Sequence, residues 1–219
     1  MDSRIKSIDD FLDKDDLAYI DSIINFDLYD EKNFTIVDNN FINLPLFFGK
    51  ILSTTKSKFV GKVFDPKTGK LLEKSQSEKL NNFQFSHSFY STEQGSTSKL
   101  FKDIDNIFKL KLSVYMWQRI KLNLMPRSDN IYVSGFHTDS KPLLTEEKTA
   151  IYYLNDCNGY TVFKDGSYIQ SKKNRIVIFP KHLLHSGTTC SDKPYRAAIN
   201  FNYIEVPNDT KKIKKIEHC

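Results

Sequence analysis

The chain has 219 residues, 39% of them hydrophobic and 27% charged, with a formal net charge of +5. That is ordinary for one globular domain with room for a sizeable core. No apolar run approaches membrane-spanning length, because the longest, Phe41 to Phe48, is broken by Asn43 and Pro45, so no membrane partner is expected. The three cysteines, Cys157, Cys190 and Cys219, are odd in number and lack metal-type spacing, which speaks against a disulfide framework. Met1 to Asp10 is charged and has no apolar signal core. Both features lead us to expect a reducing, cytoplasmic compartment. Lysines are scattered, and only Lys211 to Lys215 (KKIKK) forms a cluster. The positive charge makes nucleic acid a secondary candidate partner.

The first predicted element is a helix. Asp13 caps it, Asp16 follows three residues later, and Leu17, Ile20, Ile23 and Ile24 recur at helical spacing. Residues 53–80 are rich in Lys and Ser, with a turn signal at Asp65-Pro66-Lys67-Thr68-Gly69 between two strand-like pieces. They read as an exposed hairpin, either a lid over a site or a solvated loop. Residues 81–90 alternate strictly, with Phe83, Phe85, His87 and Phe89 on one face, as in a half-buried strand. Leu100, Ile104, Ile107 and Phe108 predict a second helix over 99–112, packed on the outside of a sheet.

From Val114 onward strand follows strand: 117–125, 131–137, 149–155, 160–163, 166–169, 174–179, 183–186 and 196–204. This pattern predicts a mainly β protein with N-terminal helices (α+β), built as a sandwich or jelly roll. We read residues 1–219 as a single domain. Residues 1–113 form a helical and strand support region, 114–204 the core, and 205–219 a C-terminal tail.

The stretch that carries chemistry is Gly135-Phe-His137-Thr-Asp139. His and Asp two residues apart on a strand end point the same way, so both can reach one ion. A lone His-x-Asp recurs by chance. A second histidine, His185, comes 46 residues after Asp139. Two His and one carboxylate form the facial triad of non-haem iron, with positions left open for substrates. His182 competes for the distal position, but His185 precedes Ser-Gly and is better spaced from Arg196. His87, among three Phe, reads as a core or pocket-wall residue, and His218 as a solvated one.

Arg196 opens a strand 11 residues after His185. Arg196, Ala198, Asn200 and Asn202 face one way, while Ala197, Ile199, Phe201 and Tyr203 face the other. An Arg beside a small Ala can project into a cavity, and its planar fork suits a carboxylate. Arg175, opening the 175–179 strand, is the reserve candidate. Asn123 alternates with Leu122 and Leu124, so it too faces the cavity. Trp117 and Met116 read as core.

These segments resemble the prolyl 4-hydroxylase-like branch of the 2-oxoglutarate/Fe(II)-dependent dioxygenases. The resemblance rests on His137-Thr-Asp139, Thr149-Ala-Ile-Tyr-Tyr-Leu-Asn155 and Gly159-Tyr-Thr-Val-Phe163. It continues through Arg175-Ile-Val-Ile-Phe-Pro180, His185-Ser-Gly187 and Arg196-Ala-Ala-Ile-Asn200, in order over residues 114–204, about 40% of the chain. It implies a double-stranded β-helix (cupin-like) core with Fe(II) on His137, Asp139 and His185. It implies 2-oxoglutarate as cosubstrate, anchored by Arg196 with Tyr153, and O2 as oxidant. Ascorbate is an additional candidate cofactor. The implied reaction is hydroxylation of an unactivated C–H bond of a prolyl or other amino-acid substrate, free or in a peptide, with release of succinate and CO2. Many prolyl hydroxylases carry a tyrosine on the strand before the His-x-Asp motif. Here that strand reads Lys121-Leu-Asn123-Leu-Met-Pro126, leaving Asn123 to meet the C1 carboxylate or water. Residues 1–113 match nothing specific. Three other readings compete: the same chemistry on a nucleobase, a non-catalytic jelly-roll binding module, and a zinc hydrolase.

Overall fold

A computed structural model describes residues 2–24, 47–50, 62–65, 70–73, 83–139 and 146–207. The N-terminal half contributes β1 (Lys6–Ile8), α1 (Lys14–Ile23), β2 (Phe47–Lys50), β3 (Lys62–Asp65), β4 (Lys70–Glu73), β5 (Phe83–Ser91), β6 (Gly95–Ser96) and α2 (Phe101–Phe108). It is followed by β7 (Val114–Pro126), β8 (Tyr132–Val133), β9 (Glu147–Tyr153), β10 (Tyr160–Phe163) and β11 (Tyr168–Gln170). The last strands are β12 (Ile176–Pro180), β13 (His185–Gly187) and β14 (Tyr195–Glu205).

From β7 to β14 the chain passes back and forth between two antiparallel sheets. Strands β12, β9, β14 and β7 lie side by side in one sheet. Strands β11, β10 and β13 form the other, and an isolated bridge between Val133 and Thr188 joins β8 to β13. This alternating path is a double-stranded β-helix, a jelly roll whose interior lies between the sheets. Ile151, Tyr153, Val177, Phe179 and Ala198 from the larger sheet meet Phe163 there.

The outer face of the larger sheet is covered by the helices. Asp13 accepts a hydrogen bond from the Asp16 amide, which caps α1 as predicted. Ile20 of α1 and Ile104, Ile107 and Phe108 of α2 then pack on Ile120, Leu122, Ile199 and Phe201. Phe108 stands 4.6 Å from the Phe201 ring and 5.1 Å from that of Tyr152. Burying each such ring contributes about 1.5–3 kcal/mol. The alternation read in β14 is therefore real: Ile199, Phe201 and Tyr203 face the helices, and the opposite set faces the interior.

The larger sheet also recruits the N-terminal half. β1 pairs with β12, β5 with β7 and β2 with β5. Strands β1, β2 and β6 were not foreseen, because three short runs carry too little periodicity. The expected hairpin is present as paired β3 and β4, and β3 also pairs with β8. Its turn, residues 66–69, lies outside the described residues, as do His218, Cys219 and the Lys211–Lys215 cluster. The predicted strand over 166–169 begins two residues later, because Gly166 at φ +85° and Asp165 make a turn there.

Asn174 ties the N-terminus to this frame. It adopts the left-handed region at φ 62°, and its amide pairs with both the N–H and the carbonyl of Leu12. Its side chain also accepts from Tyr152 Oη. Asn174→Ala is expected to lower stability by about 2–4 kcal/mol, since it strands buried polar groups and keeps the backbone strain. A urea titration of the two proteins measures this; an unchanged midpoint would remove Asn174 from the anchor.

Candidate active site

His137 and His185 face each other across a bridge that joins the β8 segment to β13. Each amide donates to the other's carbonyl at 3.0 Å, and their rings stand 4.8 Å apart. Asp139 follows His137 by two residues, and one ligand atom from each of the three lies within 4.8 Å of the others. His137 Nδ1 is 3.0 Å from the Gly135 carbonyl, and His185 Nδ1 is 3.0 Å from that of Leu183. A carbonyl only accepts, so each Nδ1 carries the proton and each Nε2 keeps its lone pair. His185 Nε2 is buried without a hydrogen-bond partner among the described residues. Burial of the ring lowers its pKa, so at neutral pH the imidazole is uncharged and able to ligate.

Asp139 is fixed from three sides. Its Oδ1 accepts from Arg119 Nη2 at 2.9 Å, and its Oδ2 accepts from Thr149 Oγ1 and Asn202 Nδ2 at 2.8 Å each. Burial opposes its ionisation, but the attraction of His185, which is protonated at low pH, the charge of Arg119 and the Asn202 hydrogen bond outweigh this and hold its pKa at about 2. The carboxylate is thus ionised throughout the physiological range. Two imidazole Nε2 atoms and one carboxylate fit a divalent transition metal.

The three donors open onto a cavity of about 290 Å³ between the sheets. That is near the lower end for small-molecule sites. Arg196, 3% exposed, lines the same cavity. Its Nε donates to Ser171 Oγ at 2.6 Å, Nη2 to Thr161 Oγ1 at 3.1 Å, and Nη1 to the Thr188 carbonyl at 3.4 Å. Among the described residues no carboxylate pairs with it. Two glycines make room for this side chain. A Cβ on Gly159 would stand 2.7 Å from Arg196 Cδ and from the Thr189 carbonyl oxygen, and one on Gly187 would stand 3.3 Å from Nη1. The glycines of Gly159-Tyr-Thr and His185-Ser-Gly thus acquire a physical reason.

Tyr153 is fully buried in the interior cluster. Its ring lies 5.4 Å from the Arg196 guanidinium carbon, and its hydroxyl donates to Thr161 Oγ1. It stands behind the cavity wall, which Thr161 forms. Asn123 lines the cavity, and its Oδ1 is buried without a partner among the described residues. Arg175 points elsewhere, pairing with Asp9 and the Gln170 carbonyl at the surface. His182 is exposed with Nε2 3.1 Å from Arg4, and His87 sits in the core against Phe89.

Sequence reasoning missed Arg119, Lys121 and Thr149, and gave Asn202 a direction but no partner. The signal was available for the first two. Arg119, Lys121 and Asn123 share one face of β7 by simple alternation.

A scan against protein-family models found no match for this sequence, and a search of curated protein sequences found none either. Among solved structures, a 2OG-Fe(II) oxygenase family oxidoreductase from Burkholderia pseudomallei superimposes with a TM-score of 0.54 at 12% identity, over 93% of this chain and 86% of that one. A Trichoplax adhaerens prolyl hydroxylase, solved with a hypoxia inducible factor peptide fragment, matches at TM-score 0.40 and 15% identity, over 56% of this chain and 63% of that one. A Pseudomonas putida prolyl-4-hydroxylase matches at 0.37 and 12%, over 57% and 73%. The first superposition spans nearly the whole of both chains, and it shows that this chain has the fold of a 2OG-Fe(II) oxygenase family protein: a double-stranded β-helix braced by helices.

Proposed function

We propose that this protein is an Fe(II)- and 2-oxoglutarate-dependent dioxygenase that hydroxylates an unactivated C–H bond of a prolyl or other amino-acid substrate, releasing succinate and CO2. The observation that carries this reading is the pairing of two unsatisfied features in one cavity. A donor triad able to hold a metal and a buried guanidinium that no carboxylate meets among the described residues line the same space. A buried cation is costly unless an anion meets it. A dicarboxylic keto-acid answers both features, since one end chelates a metal and the other is a carboxylate for Arg196.

In this reading His137, Asp139 and His185 hold Fe(II), which with 2-oxoglutarate supplies the activation of O2. The chain's own residues supply position and charge. The Gly135 and Leu183 carbonyls fix the imidazole tautomers, and Arg119, Thr149 and Asn202 fix the carboxylate. Ser171 and Thr161 aim Arg196, Tyr153 backs it, and Asn123 adds a polar group to the wall. We read residues 1–219 as one domain, with 114–204 as its core. The amino-acid substrate class rests on the strand pattern shared with prolyl-hydroxylase-like enzymes.

The test is succinate formation from 2-oxoglutarate by the purified protein with Fe(II) in air, with and without prolyl peptides and free amino acids. Metal-dependent succinate is expected even without substrate, at a slow rate. Absence of succinate together with absence of anaerobic 2-oxoglutarate binding would overturn the reading in favour of a non-catalytic jelly-roll module.

A further inference from the structure

The charged residues lining the cavity are unbalanced. Among the described residues, Arg119, Lys121 and Arg196 face a single carboxylate, Asp139. Two of the cations already have a role in the function proposed above. Arg119 gives Nη2 to Asp139 and Nε to Asn202 Oδ1 at 3.0 Å, while Arg196 is held apart by Ser171 and Thr161. Lys121 is left over. It is half-buried, and among the described residues its ammonium makes no hydrogen bond or ion pair.

Its neighbours confirm the vacancy of charge. In the sheet Lys121 lies between Ser88 of β5 and Asn200 of β14, neither of them acidic. Burial and the adjacent Arg119 both push its pKa down, with Asp139 pulling the other way, so the ammonium is held at a cost. A divalent metal and a dianionic keto-acid cancel formally, so filling the site leaves this excess untouched. An anion from a further molecule offsets it.

Resting on the function proposed above, we infer that Lys121 binds a carboxylate of the primary substrate. The molecule hydroxylated is therefore a carboxylate-bearing acid, such as a free amino acid, and not an internal residue of a peptide. Asn200 and Gln84 line the same cavity and add amide N–H donors around that carboxylate. Lys121 is then a specificity-determining residue, separate from the cosubstrate anchor Arg196.

The experiment uses full-length protein loaded with Zn(II) and saturated with 2-oxoglutarate, so that no turnover occurs. Thermal unfolding is followed with the twenty free L-amino acids and, in parallel, their carboxamides, with sodium sulfate as the ionic-strength baseline. At least one free acid is expected to raise the Tm while its amide does not. Lys121→Met is expected to weaken that acid at least tenfold and to leave the 2-oxoglutarate-induced rise intact. Lys121→Arg, which keeps the charge and controls for folding, should retain part of the effect. Amides acting as well as acids, no acid acting at all, or Lys121→Met losing the 2-oxoglutarate response instead would each overturn the inference. A wild-type protein with no response to 2-oxoglutarate would instead sink the function on which it rests.

Discussion

Asp139→Ala is expected to abolish Fe(II)-dependent succinate formation, with a loss of more than about 100-fold, because even outer partners of metal ligands cost 10- to 100-fold when removed. The substitution removes the one anionic donor of the triad. It also strands Arg119, Thr149 and Asn202, which all direct hydrogen bonds at that carboxylate. Some loss of stability therefore accompanies the loss of activity, and the two must be separated. His137→Ala does this. Among the described residues its ring bonds only the Gly135 carbonyl, so the substitution should leave the Tm nearly unchanged while losing metal. Anaerobic Fe(II) titration of both variants is the measurement. Retained turnover in either one would dissolve the ligand assignment.

Arg196→Ala is expected to raise the 2-oxoglutarate requirement by about 30- to 1,000-fold, with the Fe(II) requirement little changed. That range is about 2–4 kcal/mol for truncating one side of a buried, hydrogen-bonded charge pair. A milder form of the same defect is expected from Gly159→Ala. The added methyl must displace Arg196 Cδ or the Thr189 carbonyl, both 2.7 Å away, so the guanidinium can no longer lie where Ser171 and Thr161 hold it. Cosubstrate titrations of both variants, with apparent Fe(II) affinity measured beside them, test the anchor. Unchanged cosubstrate dependence in Arg196→Ala would move that role elsewhere, but not to Arg175, which is occupied by Asp9.

Much of the site was legible because it obeys local rules. His137 and Asp139 are two apart, and a strand end sends such a pair the same way. The alternation of β14 separated Arg196, Ala198, Asn200 and Asn202 from the core-facing residues, and the cavity is indeed lined by the first three. The Asp13 cap and the Ile20 stripe needed only helical spacing.

What local pattern could not supply was pairing across the sheets. Arg175 and Arg196 both open strands, and both looked fit to bind a carboxylate. Only tertiary structure sends one to Asp9 at the surface and encloses the other. Arg119 reaches Asp139 because β7 lies against β14 in a register that sets Arg119 opposite Asn202, and Asn202 in turn bonds Asp139. Lys121 became conspicuous only once its cross-strand neighbours, Ser88 and Asn200, were known to lack an acid. The amino-acid sequence by itself determined the succession of strands after Val114, the faces of β14 and the donor types, because backbone period and side-chain chemistry are local. Tertiary structure decided which charges are paired and which are left waiting, because burial and cross-strand register depend on residues far apart in the chain.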